Sequence, residues 1–188
     1  MIEFLKKRLH RTPLRDDRGS VMLEFAFAMP LLLTILLGGL ELGRYVLLHQ
    51  KLDRTAMTIS DLVSRVTQVT TAELDTIFLA TDLVMAPFAM GNRGAVIVSS
   101  VMDDSGTPTV VWQRTGSGTL TVTSEVGVQG GTATISDEEM LSTGEGIIVG
   151  ESYFDYSPWL VQIIPSIRLR HVAIFRPRLN NEVACPDC

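Results

Sequence analysis

Arg18-Gly19-Ser20-Val21-Met22-Leu23-Glu24-Phe25-Ala26-Phe27-Ala28-Met29-Pro30-Leu31-Leu32-Leu33-Thr34-Ile35-Leu36-Leu37-Gly38-Gly39-Leu40 is the stretch on which the rest of the 188-residue chain depends. From Phe25 to Leu40 there is no charged side chain, and Thr34 is the one polar residue. Counted from Val21 the run is about twenty residues, and at ~1.5 Å per residue such a helix covers a ~30 Å hydrocarbon core. One membrane-crossing helix is predicted. Glu24 stands at its start. A carboxylate in lipid is costly, so it calls for a partner or a function, or for a place at headgroup level where an acid suits a helix N-terminus.

The flanks orient the helix. Lys6, Lys7, Arg8, Arg11, Arg15 and Arg18 precede it, against Glu3, Asp16 and Asp17. Arg44, Lys51 and Arg54 follow it. The basic excess predicts a cytoplasmic N-terminus and an exported C-terminal part. A conventional secretory signal fits poorly. Its apolar region is short, and cutting after Gly39 leaves Leu37 where a small residue is wanted. An unprocessed signal-anchor remains the rival reading.

Gly19-Ser20 is followed by Glu24, the fifth residue counted from Ser20, then by Phe25 and Pro30. This pattern resembles the class III signal of type IV pilins, which a prepilin peptidase cuts after the glycine on the cytoplasmic side. With Gly38-Gly39-Leu40-Glu41-Leu42-Gly43-Arg44 added, it resembles the TadE-like minor pilins (pseudopilins) of tight-adherence pili. Weaker likeness returns at Tyr153–Pro158 and Phe175–Arg178. The resemblance implies cleavage between Gly19 and Ser20, and a role for Glu24 in setting subunit register and neutralising the new N-terminus. Phe25, Pro30, Glu41, Gly43 and Arg44 match the family's N-terminal block. The implied partners are prepilin peptidase, other pilin and minor pilin subunits, inner-membrane lipid and the pilus assembly machinery.

Beyond Leu40 the helix continues. Leu48, Leu52, Ile59, Leu62, Val66 and Val69 keep near-helical spacing, with Lys51, Asp53, Arg54, Asp61 and Arg65 on the other faces. That is an amphipathic helix with one apolar stripe, able to pack on its own head or on neighbouring helices. Pro30 should kink or loosen the span, and Gly39-x-x-x-Gly43 gives small-residue spacing for close helix approach. Glu41 and Arg44, three apart, either pair on one face or mark the water interface. Thr70-Thr71-Ala72-Glu73 is a capping box that starts a second helix running toward Pro87.

From Gly94 the chain turns β-like. Ala95–Met102 and Thr109–Arg114 read as a hairpin across a turn at Asp103–Pro108, and Gly146–Tyr156 and Ile167–Phe175 as two further strands. Leu120–Thr123 is expected as a short strand in a Gly/Ser/Thr-rich surface loop, and Ser136–Leu141 as a capped helical turn. In the last strand His171 shares the apolar face with Ile167, Leu169, Ala173 and Phe175, while Arg168 and Arg170 face away. A lone histidine there reads as a hydrogen-bonded core residue. Pro158–Pro165 is apolar and is either a core plug or an exposed contact patch.

Several chemistries are disfavoured. No Lys-Ser/Thr follows the glycine clusters, so there is no P-loop. Asp103 and Asp104 lack the dense acidic alternation of a calcium loop. The acidic exported part has no basic patch, so no nucleic-acid partner is expected. Cys185 and Cys188 form a terminal Cys-Pro-Asp-Cys, placed on a tail rather than at the helix start a redox pair needs. They are either a local disulfide or free thiols. No cofactor, metal or catalytic residue is expected. The fold expected is α+β, a long N-terminal helix on a small, mostly antiparallel sheet, pilin-like by resemblance. The expected divisions are leader 1–19, span 20–43, helical stalk 44–86 and β-rich head 87–188. A structural pilus subunit is the favoured function. A non-processed, membrane-anchored periplasmic binding protein and a membrane-tethered periplasmic enzyme are the alternatives.

Overall fold

The structure is a computed structural model that describes residues 17–103, 105–135 and 141–188. Most of the expected leader lies outside these residues, as do Asp104 and nearly all of the expected helical turn at 136–141. Two helices, α1 (Asp17–Ser64) and α2 (Thr71–Met85), are followed by strands β1 (Gly94–Asp103), β2 (Pro108–Gly116), β3 (Gly146–Tyr156) and β4 (Ile167–Phe175). The strands form one antiparallel sheet in the order β2-β1-β3-β4. The architecture is α+β, as the pattern predicts.

α1 is 48 residues long, about 72 Å at ~1.5 Å per residue. Its first half is exposed along every side described, from Gly19 to Leu36. Its second half lies across β3 and β4. There Leu48, Leu52, Ala56, Ile59 and Val63 are buried and join Val96, Val98, Trp112, Ile148, Phe154, Tyr156 and Leu169 in the main core. The sequence of the helix changes from apolar on every side to one-sided where the sheet begins to cover it.

The stripe differs from the expected one at its end. Leu62 and Val66 are exposed, Val63 takes the buried position, and α1 stops at Ser64 rather than running to Val69. The cause is the C-terminal tail. The Val69 amide donates to the Ala184 carbonyl at 2.9 Å and the Ala184 amide to Thr67 at 3.2 Å, a short bridge that replaces helical pairing. α2 then starts on its capping box, with the Glu73 amide donating to the Thr70 hydroxyl and the Thr70 amide to the Glu73 carboxylate. It packs on α1 and on edge strand β2.

Helix and sheet approach closely at Gly150. A Cβ there would fall on the Ser60 hydroxyl and 2.9 Å from the Ala56 carbonyl oxygen. The opposite sheet face is also covered. Val126, Ala133 and Ile135 from the 117–145 connection pack on Val101, Val110, Ile147 and Val149. β1 and β3 are thus buried on both faces along nearly their whole length. The expected strand at Leu120–Thr123 is absent. That segment has no ladder partner and leads instead into Ser124 and Glu125, which donate to the fully buried carboxylate of Glu151. Tyr153 Oη at 2.7 Å and Arg170 Nε at 2.9 Å complete that cluster. The connection is a cover for the sheet, not a free surface loop.

Candidate functional site: the membrane helix and its junction with the head

The apolar half of α1 is long enough to cross a membrane, and none of its most apolar stretch is buried by the rest of the chain. Gly19 and Ser20 are exposed in its opening turns, and a Cβ at Gly19 would meet nothing. Glu24, one helical turn after Ser20, is exposed, as is Phe25. Pro30 lies inside the continuous helix. The Thr34 hydroxyl donates to the Pro30 carbonyl at 2.8 Å, so the one polar side chain between Phe25 and Leu40 is satisfied without water. Gly39 and Gly43 are exposed, and added Cβ atoms there would meet nothing. That leaves a smooth strip of helix facing outward.

The junction begins two residues after Gly39. Glu41 is buried, with 1 % of its surface exposed. Its carboxylate accepts from the Tyr156 phenol, from the Trp159 amide at 3.1 Å and from the Leu160 amide at 2.8 Å. Arg44 stands 3.6 Å from the same carboxylate, donates to the Ser157 carbonyl at 3.3 Å, and lies over the rings of Phe88 and Tyr156. Of the two alternatives read for Glu41 and Arg44, the structure shows the pairing: they face each other on one side of the helix, at the point where the head begins to cover it. Burial, and then the Glu41 carboxylate, push the Tyr156 phenol up to about 12, so it remains a donor throughout the physiological range.

One turn further on, Tyr45 packs edge-on against both Tyr156 and His49. His49 Nδ1 lies 2.9 Å from His171 Nε2, and His171 Nδ1 lies 3.7 Å from Asp53. Burial, and then His171, hold His49 below the usual imidazole value. His171 does face the apolar side of the sheet, with a hydrogen-bond partner on the helix. At the far end of the docked length, Asp61 pairs with Arg65 and with Arg178 of the segment after β4.

The terminal cysteines are joined in a disulfide. Asp187 between them accepts from the Thr71 amide at 3.1 Å and the Thr71 hydroxyl at 2.7 Å, tying the tail to the start of α2. Cys185, Asp187 and Cys188 cluster closely, but both sulfurs are consumed by the disulfide and offer no thiolate to a metal.

The parts missed from sequence are the partners of Glu41. Tyr156, Trp159 and Leu160 are more than a hundred residues away, and nothing in their local pattern points back to α1. The signals available were an acid at the end of an apolar run and a tyrosine ending a strand. Neither alone specifies the other.

Among the described residues one helix is long and apolar enough to cross a membrane, and it ends in a docked α+β head, the arrangement of a membrane-anchored protein. Residues 19–60 match the family described as TadE-like protein, so the helix that forms both span and junction is similar to that family, which supports a protein associated with the tight-adherence pilus. The match covers less than a quarter of the chain and leaves the sheet outside it. No curated protein and no solved structure matches the chain.

Proposed function

We propose that this chain is the precursor of a minor pilin, a structural rather than catalytic component that contributes to the assembly or tip of a tight-adherence pilus. It is held in the bacterial inner membrane with its N-terminus in the cytoplasm and its head in the periplasm. Prepilin peptidase cuts between Gly19 and Ser20. The observation that carries the reading is the exposed Gly19-Ser20 pair at the head of an uncovered apolar helix, with Glu24 one turn on. The first turn of a helix has amides without intrahelical partners and opens at little cost to a protease. Cleavage makes Ser20 a free ammonium. Inside a bundle of spans that ammonium needs a counter-charge, and Glu24 of the same or an adjacent subunit supplies it. Desolvation limits the net gain, so the pair acts chiefly by penalising any register that strands a charge in lipid. The open face at Gly39 and Gly43 suits close packing with other pilin helices.

The test is the N-terminal mass of the protein recovered from its native membrane. Wild type is expected to begin at Ser20, and Gly19→Leu at the uncut N-terminus with the head still exported. Glu24→Gln is expected to be cut and inserted normally but depleted from sheared pili. Identical intact N-termini in wild type and Gly19→Leu would refute the processing and leave an unprocessed anchor.

A further inference from the structure

We propose that the Trp159–Pro165 loop of the head is a membrane-surface element, seated in the interfacial layer of the bilayer beside the end of the span. The inference rests on α1 crossing the membrane and not on pilus assembly or cleavage.

Height along α1 carries the argument. The Trp159 and Leu160 amides are bound at Glu41, and the chain then descends toward the apolar end of the helix. The Cδ1 atom of Ile163 lies 2.9 Å from where a Cβ on Gly38 would stand. A groove of about 310 Å³ continues beneath Ile163 and Ile164, along Gly38, Ile35 and Thr34. Leu40 ends the apolar run, so Gly38 lies about 3 Å and Thr34 about 9 Å inside it at ~1.5 Å per residue. If the run fills the hydrocarbon core, Ile163 sits at its edge and the groove opens among acyl chains.

The chemistry of the loop agrees. From Ser157 to Ser166 there is no charged side chain. Trp159 is 77 % exposed and Ile163 60 % in the isolated chain, an arrangement that water alone does not favour. An indole, with an apolar body and one N–H, is at home between headgroups and chains. Three of the loop's amides are paired within the protein, those of Trp159 and Leu160 with Glu41 and that of Ile163 with the Val161 carbonyl at 2.8 Å, as suits the headgroup edge rather than the bilayer interior. Charged groups appear immediately above, where Asp155 and Arg168 pair with each other, half exposed, on the water side.

The experiment uses the full chain in phosphatidylcholine–phosphatidylglycerol vesicles, with lipids brominated either near the carbonyl or near the methyl end of the acyl chain. The protein has two tryptophans. Trp112 is buried beside Val183 and bonded to its carbonyl, at the end of the head remote from Glu41, so Trp159→Phe isolates the signal of Trp159. Flotation with the vesicles checks the span separately. The expected result is blue-shifted Trp159 emission, quenched more by shallow than by deep bromine and little by aqueous iodide, with the lipid quenching absent from Trp159→Phe. Protein that floats while Trp159 is quenched by iodide and not by bromolipid would overturn the proposal. So would Trp159 shielded from both, which would indicate a protein subunit covering the loop. Failure to float would remove the span and the proposal together.

Discussion

Gly150→Ala is the sharpest probe of how the helix sits on the sheet. The new Cβ would lie on the Ser60 hydroxyl and 2.9 Å from the Ala56 carbonyl oxygen. The hydroxyl belongs to a short side chain that already donates to the Ala56 carbonyl at 2.9 Å and approaches the Ala173 carbonyl at 3.3 Å. The carbonyl belongs to the backbone of a rigid helix, so it yields only if α1 lifts. Overpacking of this kind costs about 1–3 kcal/mol. For a chain of this size that corresponds to roughly 2–12 °C in melting temperature. Ser60→Ala removes the hydroxyl and leaves the remaining Cβ at an ordinary 3.5 Å, but it does not move the Ala56 carbonyl. The double variant should therefore recover part of the loss and not all of it, while Ser60→Ala alone costs at most about 1 kcal/mol for its hydrogen bonds. The assay is thermal unfolding of the full chain in a mild detergent, followed by near-UV circular dichroism from the buried Trp112. A Gly150→Ala protein that melts with wild type, or a double variant whose losses simply add, would refute the close seating of α1 on β3.

Two further outcomes test the junction. Glu41→Ala leaves the Trp159 and Leu160 amides and the Tyr156 phenol without their acceptor, so amide exchange at residues 159 and 160 should quicken by about tenfold or more while β1 and β3 stay protected; unchanged exchange would mean the loop is held elsewhere. Acid should loosen the helix from β4. His49, faced by Tyr45 and by the His171–Asp53 pair, has a folded pKa below its ordinary 6.5, so its contribution is complete above pH 6.5 and falls as acid protonates the undocked form first. The slope for one proton is at most about 1.4 kcal/mol per pH unit, and His49→Gln should flatten it in melting curves taken on either side of that pH.

The span, the capping box, the four strands and the two-layer plan were legible because each is written locally. Twenty apolar residues, a Thr-x-x-Glu cap and runs of β-branched residues say what they form without reference to the rest of the chain. Where reading failed, a distant segment decided. α1 stops at Ser64 because Ala184 competes for the backbone of Thr67 and Val69. Residues 120–123 give up a strand because Glu151, buried on the outer face, draws Ser124 and Glu125 to itself. Val63 rather than Leu62 is buried, and since both stand at helical spacing from Ile59 the helix sequence does not choose between them alone. Glu41 was visible as an anomaly at the end of the apolar run, but its meaning lay at residues 156–160.

The head is fastened to α1 at both ends of its docked length, and the fastenings differ in kind. At the far end Asp61 pairs with Arg65 beside it on the same segment and with Arg178 of the head, both arginines about half in water, and a backbone bond there runs from the Arg178 amide to the Ser64 carbonyl at 2.9 Å. Such pairs are screened by salt and add little net stability. At the membrane end Glu41 is buried, and its acceptors are filled by two backbone amides and a phenol that cannot be rehydrated without opening the loop. The helix between them is about 30 Å long. Opening of the head from its helix should therefore start at Asp61 and end at Glu41. A push or rotation applied to the span enters the head first through the Tyr156–Leu160 segment, at the tighter of the two attachments. A head that frayed at Glu41 while Asp61 held would invert this order, and amide exchange along 156–160 against 176–184 decides between them.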